Sequence, residues 1–249
     1  MRRLGIFTLL FSLMFVLTTC STLDEAAVRK TNKVAVAIVG VDKYLQYSSG
    51  FAVGSLVQRL AESEDFDLQP IAEKLHNKTF GTYTKIMPFT LMDEEKVINT
   101  SAYKDFTLFE KESYEERFKK NSMFISAKDY MKYRPEFLNR GHRKKLFKAM
   151  PEEADAMLMV GLSYWLKKQT SMVPGMTKAK AMAHLNMELV KPNGKKIMDI
   201  EKKAYSDEAM EIVFDWAILK PEKIRPLCVT ATNKVMVKAE KFVKDELSG

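Results

Sequence analysis

The stretch Lys33-Val-Ala-Val-Ala-Ile-Val-Gly-Val41 decides the fold of this chain. Nearly all of its residues are apolar and many are β-branched, a pattern typical of a central strand that is covered on both faces. Outward from it, Phe51 to Ser63 places apolar residues at helical spacing and predicts an amphipathic helix. A strand followed by a helix indicates an α/β layer fold.

Extended structure is also predicted further along the chain. Ala156 to Trp165 is a second apolar run, and two more runs flank Lys191-Pro-Asn-Gly194. Because Asn-Gly favours a tight hairpin turn, we predict a hairpin with arms from Ala179 to Val190 and from Lys195 to Tyr205. Alternation in the first arm predicts a half-exposed strand, with one face apolar and the other face in contact with solvent, the latter carrying Met182, His184, Asn186 and Glu188.

The remaining patterns complete the fold prediction. We expect a helix over Asp207 to Ala217, a loop over Lys220 to Pro226 because of its two prolines, and a closing helix over Val229 to Leu247. The predicted fold class is therefore α/β, a mixed β-sheet with helices packed on it and a closing amphipathic C-terminal helix. Residues 33–249 are expected to form a single domain, with a divergent helical insertion near residues 103–150.

The N-terminus carries a targeting pattern. Met1-Arg-Arg precedes an apolar run from Leu4 to Leu17, which is typical of a secretory signal and is too short to span a bilayer, since a span needs about 20 apolar residues. Leu17-Thr-Thr-Cys20 resembles a bacterial lipobox, although Thr19 departs from the usual small residue. This resemblance implies a lipoprotein signal peptide at residues 1–19, a palmitate-type lipid on Cys20 and a lipidated tether at residues 20–32. The alternative is a plain signal peptide in which Cys20 is incidental.

The chain holds two cysteines, Cys20 and Cys228. If Cys20 is acylated, Cys228 has no partner and is expected to be a small buried hydrophobe beside Leu227 and Val229. The alternative is a disulfide between the two cysteines of a plain secreted protein.

Positive charge is the main clue to a binding surface. The net charge of +8 becomes +6 when Arg2 and Arg3 leave with the signal, which suits lipid headgroups or an anionic wall polymer. Asn139 to Met150 is a basic amphipathic segment, and the predicted surface contacts are Arg140, Arg143, Lys144, Lys145 and Lys148. The alternative is a helix packed on the sheet with a solvated lysine face. An exported protein seldom meets nucleic acid, so no nucleic-acid partner is expected.

No motif in the chain predicts catalysis. The three histidines, His76, His142 and His184, lack the spacing of a metal site, and neither a phosphate-binding glycine loop nor a nucleophile elbow is present. We therefore predict that the protein is not an enzyme and has no catalytic residue, no metal site and no cofactor.

The order of these elements resembles one bacterial superfamily. The lipobox, the strand from Lys33, the run Ala154-Asp-Ala-Met-Leu-Met-Val-Gly161 and the hairpin turn Lys191-Pro-Asn-Gly-Lys195 are similar to the periplasmic lipoproteins that include CsgG, LpoB and the N-terminal domain of TolB. Lys191 stands where that group carries an acid.

The resemblance implies a non-catalytic, lipid-anchored binding or assembly protein of the cell envelope, with an envelope protein or wall polymer as partner. The bilayer would be contacted through acylated Cys20. The expected location is the periplasm, with the lipid in the outer membrane because Ser21 follows the cysteine. The alternatives are an oligomeric component of a secretion or outer-membrane complex, as a homo-oligomer, and a cell-envelope hydrolase.

Overall fold

A computed structural model describes residues 22–47, 53–108, 123–169, 176–213 and 219–247. Within these ranges one mixed sheet contains eight strands: β1 Thr22–Leu23, β2 Lys33–Tyr47, β3 Thr90–Leu91, β4 Phe124–Ile125, β5 Ala156–Gln169, β6 Met176–Val190, β7 Lys196–Tyr205 and β8 Met210–Val213. The described α-helices are α1 Glu25–Arg29, α2 Val53–Glu62, α3 Gln69–Gly81, α4 Glu94–Ile98, α5 Ser101–Lys104, α6 Arg140–Phe147 and α7 Pro221–Leu247. Short 3-10 turns span Tyr83–Lys85 and Pro135–Phe137. The predicted α/β fold class is confirmed.

The strands follow the order β1-β7-β6-β5-β2-β3, with β4 on the same edge of β2 as β3 and β8 on the same edge of β6 as β7. The central pair β2 and β5 is parallel, and the hairpin β6–β7 adds to β5 in antiparallel fashion. The hairpin turn closes through a hydrogen bond from Gly194 N to Lys191 O of 2.8 Å, and Gly194 has a φ of 76°. Glycine adopts this left-handed conformation without steric cost, which is why Asn-Gly was a sound hairpin signal.

The first face of the sheet packs against helices α3 and α7. Tyr164 of β5 is fully buried there, and its hydroxyl lies 2.5 Å from Thr232 Oγ1 of α7. The two helices also contact each other, since Lys78 Nζ of α3 lies 2.8 Å from Glu240 Oε2 of α7. Tyr83, in the 3-10 turn after α3, donates its hydroxyl hydrogen to Met236 O of α7 at 3.3 Å. Cys228 of α7 is fully buried, as predicted, and forms no disulfide with a described residue, and burial raises the pKa of its thiol.

The second face packs against residues 123–150, called here the cover segment. Pro135 lies so close to the sheet that a Cβ placed on Gly161 of β5 would meet Pro135 Cδ at 2.7 Å. The predicted helical insertion near 103–150 is mixed in its described part, with strand β4, a 3-10 turn and helix α6 in the cover segment. Two covers enclose β2, so Val34 to Val39 are at most 2% exposed, as expected for a central strand.

Two C-terminal predictions were wrong. In place of the helix expected over Asp207 to Ala217, the described part of this stretch contains strand β8 at Met210–Val213, which pairs with the start of β6, and residues 214–217 lie outside the described residues. The loop expected over Lys220 to Pro226 is the first part of α7. Pro221 starts this helix, where a missing N–H costs nothing, and burial of Ile224 and Leu227 against the sheet compensates for Pro226 inside the helix.

The prediction of a tether at residues 20–32 was also wrong from Thr22 onward. Thr22 and Leu23 pair with Asp199 and Met198 of β7, and Asp24 caps helix α1 by accepting a hydrogen bond from Ala27 N at 3.1 Å. Val28 and Thr31, in and just after α1, are 0% exposed. This short run docks because Val28 is buried beside the sheet and Leu23 packs against the core. Residues 1–21, including the predicted signal peptide and Cys20, lie outside the described residues.

None of the described helices is both long enough and apolar enough to cross a bilayer.

Candidate functional site

The second face of the sheet carries a layer of polar side chains, called here the polar face. Its members share one side of three neighbouring strands because cross-strand partners point the same way, and they are Ser163, His184, Asn186, Glu188, Asp199 and Glu201. The sequence predicted that the β6 part of this face would meet solvent, and that prediction was wrong. Asn186 is 2% exposed and Glu188 is 1% exposed, because the cover segment lies over them.

Glu188 is held by two cations. Lys196 Nζ lies 3.4 Å from Glu188 Oε1, and Arg143 Nη1 of α6 lies 3.7 Å from Glu188 Oε2. Lys196 also pairs with Asp199, which accepts a hydrogen bond of 3.1 Å from Asn186 Nδ2. Burial raises the pKa of Glu188 to about 7, although the charge of Lys196 lowers it. The carboxyl group can therefore hold a proton near neutral pH without exposure to solvent.

A second buried ion pair joins the cover segment to β2. Arg134 Nε lies 2.8 Å from Asp42 Oδ2 and 3.4 Å from Glu136 Oε1, and the Arg134 and Asp42 side chains are 3% and 0% exposed. Asp42 Oδ1 accepts a hydrogen bond of 2.8 Å from Tyr44 N. Burial raises the pKa of Asp42 to about 6, against the lowering effect of the Arg134 guanidinium. The outer side of that guanidinium stacks on Phe137, with 4.5 Å to the ring centroid.

His184 and Ser163 face each other on neighbouring strands. His184 Nε2 lies 3.4 Å from Glu201 Oε2, and burial followed by the nearby Lys203 charge lowers the pKa of the imidazole. Ser163 is directly opposite His184 in register and is 4% exposed.

The five basic residues predicted to contact a surface are split between two roles. Arg143 points inward, since its Nε donates to Gly194 O at 3.2 Å while Nη1 approaches Glu188. Lys145 Nζ donates to Leu108 O at 3.3 Å and is half-buried. Arg140, Lys144 and Lys148 are exposed, and Arg140 Nε also donates to Asn193 O of the hairpin turn at 3.3 Å. Side-chain periodicity alone could not separate these two groups.

A further polar cluster had no signal in the sequence. Glu94 at the start of α4 accepts hydrogen bonds from Tyr130 Oη at 2.6 Å and from Lys128, and its Oε1 lies 2.5 Å from His76 Nε2. Burial alone would raise the pKa of Glu94, but these hydrogen bonds together lower it. The four residues are up to 54 positions apart in sequence, so only the folded chain brings them together. The cluster fixes the cover segment to α3 and α4.

Within the described ranges, no group of three or more His, Cys, Asp or Glu side chains is arranged so that it could hold a metal ion.

Comparison with known proteins assigns this chain to no family. No family model matches the chain, and no curated protein matches it either. One solved structure, assigned as a homolog of the neuraminyllactose-binding hemagglutinin from Helicobacter pylori, is similar with a TM-score of 0.32 and 10% sequence identity. The match covers 86% of this chain and 83% of that chain.

Replacing Glu188 with Gln should change how stability depends on pH. The folded pKa of about 7 lies above the ordinary value of 4.5, so the folded state binds this proton more tightly. Stability from this group is therefore full below pH 4.5 and is lost as the pH rises to about 7. Urea unfolding across that range should show the wild type losing on the order of 2–3 kcal/mol relative to Glu188→Gln. Parallel curves for the two proteins would contradict the buried position of Glu188.

Replacing Arg134 should leave the buried carboxylate of Asp42 without its partner. We expect Arg134→Met to lower the free energy of unfolding by on the order of 3–5 kcal/mol at neutral pH, because Asp42 loses its partner. The double variant Arg134→Met/Asp42→Asn should recover part of that loss, measured by urea unfolding. The control is Lys241→Met, whose partner Asp245 lies in an exposed pair and which should change stability by less than about 1 kcal/mol. Additive losses in the double variant would show that the two side chains do not interact.

Proposed function

We propose that this chain is a lipid-anchored, non-catalytic binding or assembly protein of the bacterial cell envelope, held at a membrane by acyl chains on Cys20. The observation that carries the proposal is the sequence from Met1 to Cys20, an export signal that ends in a lipobox-like cysteine. The expected site of action is the periplasm, and the expected partner is an envelope protein or a wall polymer.

The position of the titratable groups supports binding rather than catalysis. Residues with strongly shifted pKa values often mark an active site when they line a cleft. Here Asp42 and Glu188 are at most 1% exposed and are paired with Arg134 and with Lys196 and Arg143. Buried, paired groups of this kind affect the stability of the fold. We therefore expect the function to be carried out by surface residues.

The outer edge of β7 is the best candidate for a protein partner. At the opposite edge of the sheet, β3 and β4 pair with β2, and Tyr103 Oη and Ser126 Oγ donate to the carbonyls of Ala37 and Val39 at 2.7 and 2.6 Å. In its described part, strand β1 pairs with Met198 and Asp199 of β7. From Ile200 to Tyr205 the outer edge of β7 pairs with no described strand, and an open edge can bind a further strand.

The same edge supports the second candidate function, an oligomeric component of a secretion or outer-membrane complex. A second copy of the chain could supply the added strand. Lys203 O at this edge accepts a hydrogen bond of 3.0 Å from Lys238 Nζ of α7, and Tyr205 is 48% exposed. A lysine on an edge strand, here Lys203, disfavours pairing with an arbitrary strand of another chain. A partner strand would therefore need acidic side chains in register with it.

Metabolic labelling with an alkyne fatty acid tests the anchor. In bacteria that make the full chain, the wild type and Cys228→Ser should both be labelled, and Cys20→Ser should not, because Cys228 is fully buried and cannot be the acylated thiol. Membrane fractionation of the same cells should show loss of Cys20→Ser from the membrane pellet. Absence of label on the wild type would reject the lipoprotein proposal.

A further inference from the structure

The anchor position and the folded domain are close together along the chain. Strand β1 starts at Thr22, and Asp24 N donates to Ile197 O at 2.8 Å. Cys20 lies two residues before Thr22, so its Cα is within about 7 Å of the Thr22 Cα whatever the conformation of the linking residue. A lipid on Cys20 would therefore hold this part of the domain against the headgroup layer.

Strand β1 runs antiparallel to β7 towards the basal end of the sheet, where β2 and β5 begin and where the hairpin turn lies, and Asp24 directly after β1 reaches that turn. Nζ of Lys195, in the turn, lies 3.7 Å from Asp24 Oδ2. On the other side of the turn, Lys191 Nζ donates to Thr31 Oγ1 at 2.9 Å. Helix α6 also contacts the turn, through Arg140 and Asn193 O at 3.3 Å. These contacts place three segments at one end of the molecule, residues 24–33, 140–155 and 188–199.

Positive charge is concentrated in these three segments. They contain 38 residues with eleven Lys or Arg and seven Asp or Glu side chains, a net charge of +4 out of +8 for the whole chain. Two of the seven acids, Glu188 and Asp199, are paired inward with Lys196. Exposed acids are present as well, notably Glu152 and Glu153. The net positive charge of these segments still favours a negatively charged partner.

Three exposed cations of the basal end are free to meet such a partner. Lys144 and Lys148 are exposed and form no ion pair with a described residue, and Lys195 is 60% exposed in a loose pair with Asp24. Because Asp24, which Lys195 contacts, is four residues from Cys20, a lipid on Cys20 would bring these cations near the bilayer surface. The Debye length is about 8 Å at physiological ionic strength, so screening would not remove the attraction.

We infer that the basal end, through Lys144, Lys148, Lys195 and the outer side of Arg140, binds anionic phospholipid headgroups beside the anchor. This inference rests on the proposed function for the anchor but uses a separate set of residues. Lipid on Cys20 would provide attachment, and the basal cations would set one orientation, in which the far end of the sheet points away from the membrane. An anionic wall polymer is the competing partner.

Co-sedimentation with vesicles tests this surface without the lipid. A chain from Ser21 onward keeps every described element, and it should bind vesicles that contain phosphatidylglycerol but not pure phosphatidylcholine vesicles. High salt should abolish the binding. The variant Lys144→Ala/Lys195→Ala should bind roughly 25-fold more weakly, because each lysine near an anionic surface contributes about 1 kcal/mol, a factor of about five.

The matched control removes two exposed lysines from the opposite end of the sheet, Lys168→Ala/Lys178→Ala, and has the same net charge. These residues lie at the C-terminal end of β5 and the N-terminal end of β6, and this variant should bind like the wild type. Equal loss in both double variants, or no binding of the unsubstituted chain to anionic vesicles, would overturn the inference. Binding to purified wall polymer without binding to anionic vesicles would also overturn the inference.

Failure of this inference and failure of the anchor are distinguishable. Fatty-acid label on Cys20 without vesicle binding would leave the anchor in place and reject the basal surface. Vesicle binding that depends on Lys144 and Lys195, without label on Cys20, would support the basal surface and reject the anchor.

Discussion

Strands β2 and β5 are apolar on both faces, so the sheet needs two covers, and the second cover is fixed by buried charges. On the first face, α7 and α3 supply an ordinary apolar cover around Tyr164. On the second face, the cover segment contains Arg134 and Arg143, whose partners Asp42 and Glu188 are at most 1% exposed. Because an unpaired buried charge is strongly unfavourable, the cover segment can sit only where both arginines reach their carboxylates. The ion pairs thus specify one position for a segment with little regular structure.

Much of the sheet could be predicted from local patterns. The apolar run from Lys33, the run from Ala156 and the Asn-Gly turn each carry a signal within a few residues, and all three led to the right elements. The polar face of β6 shows where this approach stops. Alternation correctly indicated that His184, Asn186 and Glu188 share a face, but solvent exposure depends on the cover segment, which is distant in sequence. Periodicity contains no information about that contact.

The incorrect predictions have the same cause. Strand β8 forms because the start of β6 offers it an edge, and α7 begins at Pro221 because Ile224 and Leu227 are buried against the sheet. Thr22 to Thr31 read as a polar tether, yet docking of Val28 and pairing with β7 make it part of the domain. In each case tertiary contacts outweigh a weak local preference.

Arg143 connects the interior of the protein with its basal end. One side of its guanidinium donates to the hairpin turn at Gly194 O, and the other approaches Glu188 in the buried network. The position of α6, and with it the exposed Arg140 and Lys144, is therefore set by the same charges that fix the cover segment. This coupling explains how a short basic helix can present its cations in a defined direction beside the predicted anchor at Cys20.

Native-state hydrogen exchange on the cover segment is the most direct measurement of this account. Its amides include Arg143 N, which donates to Asn139 O at 3.0 Å, and Ala149 N, which donates to Leu146 O at 3.0 Å. If buried charges hold the cover segment on the sheet, these amides should be protected nearly as strongly as those of β5 and β6. Exchange of these amides at close to the rate of an unfolded chain, while β5 and β6 remain protected, would show that the polar face is open to solvent and would contradict the account.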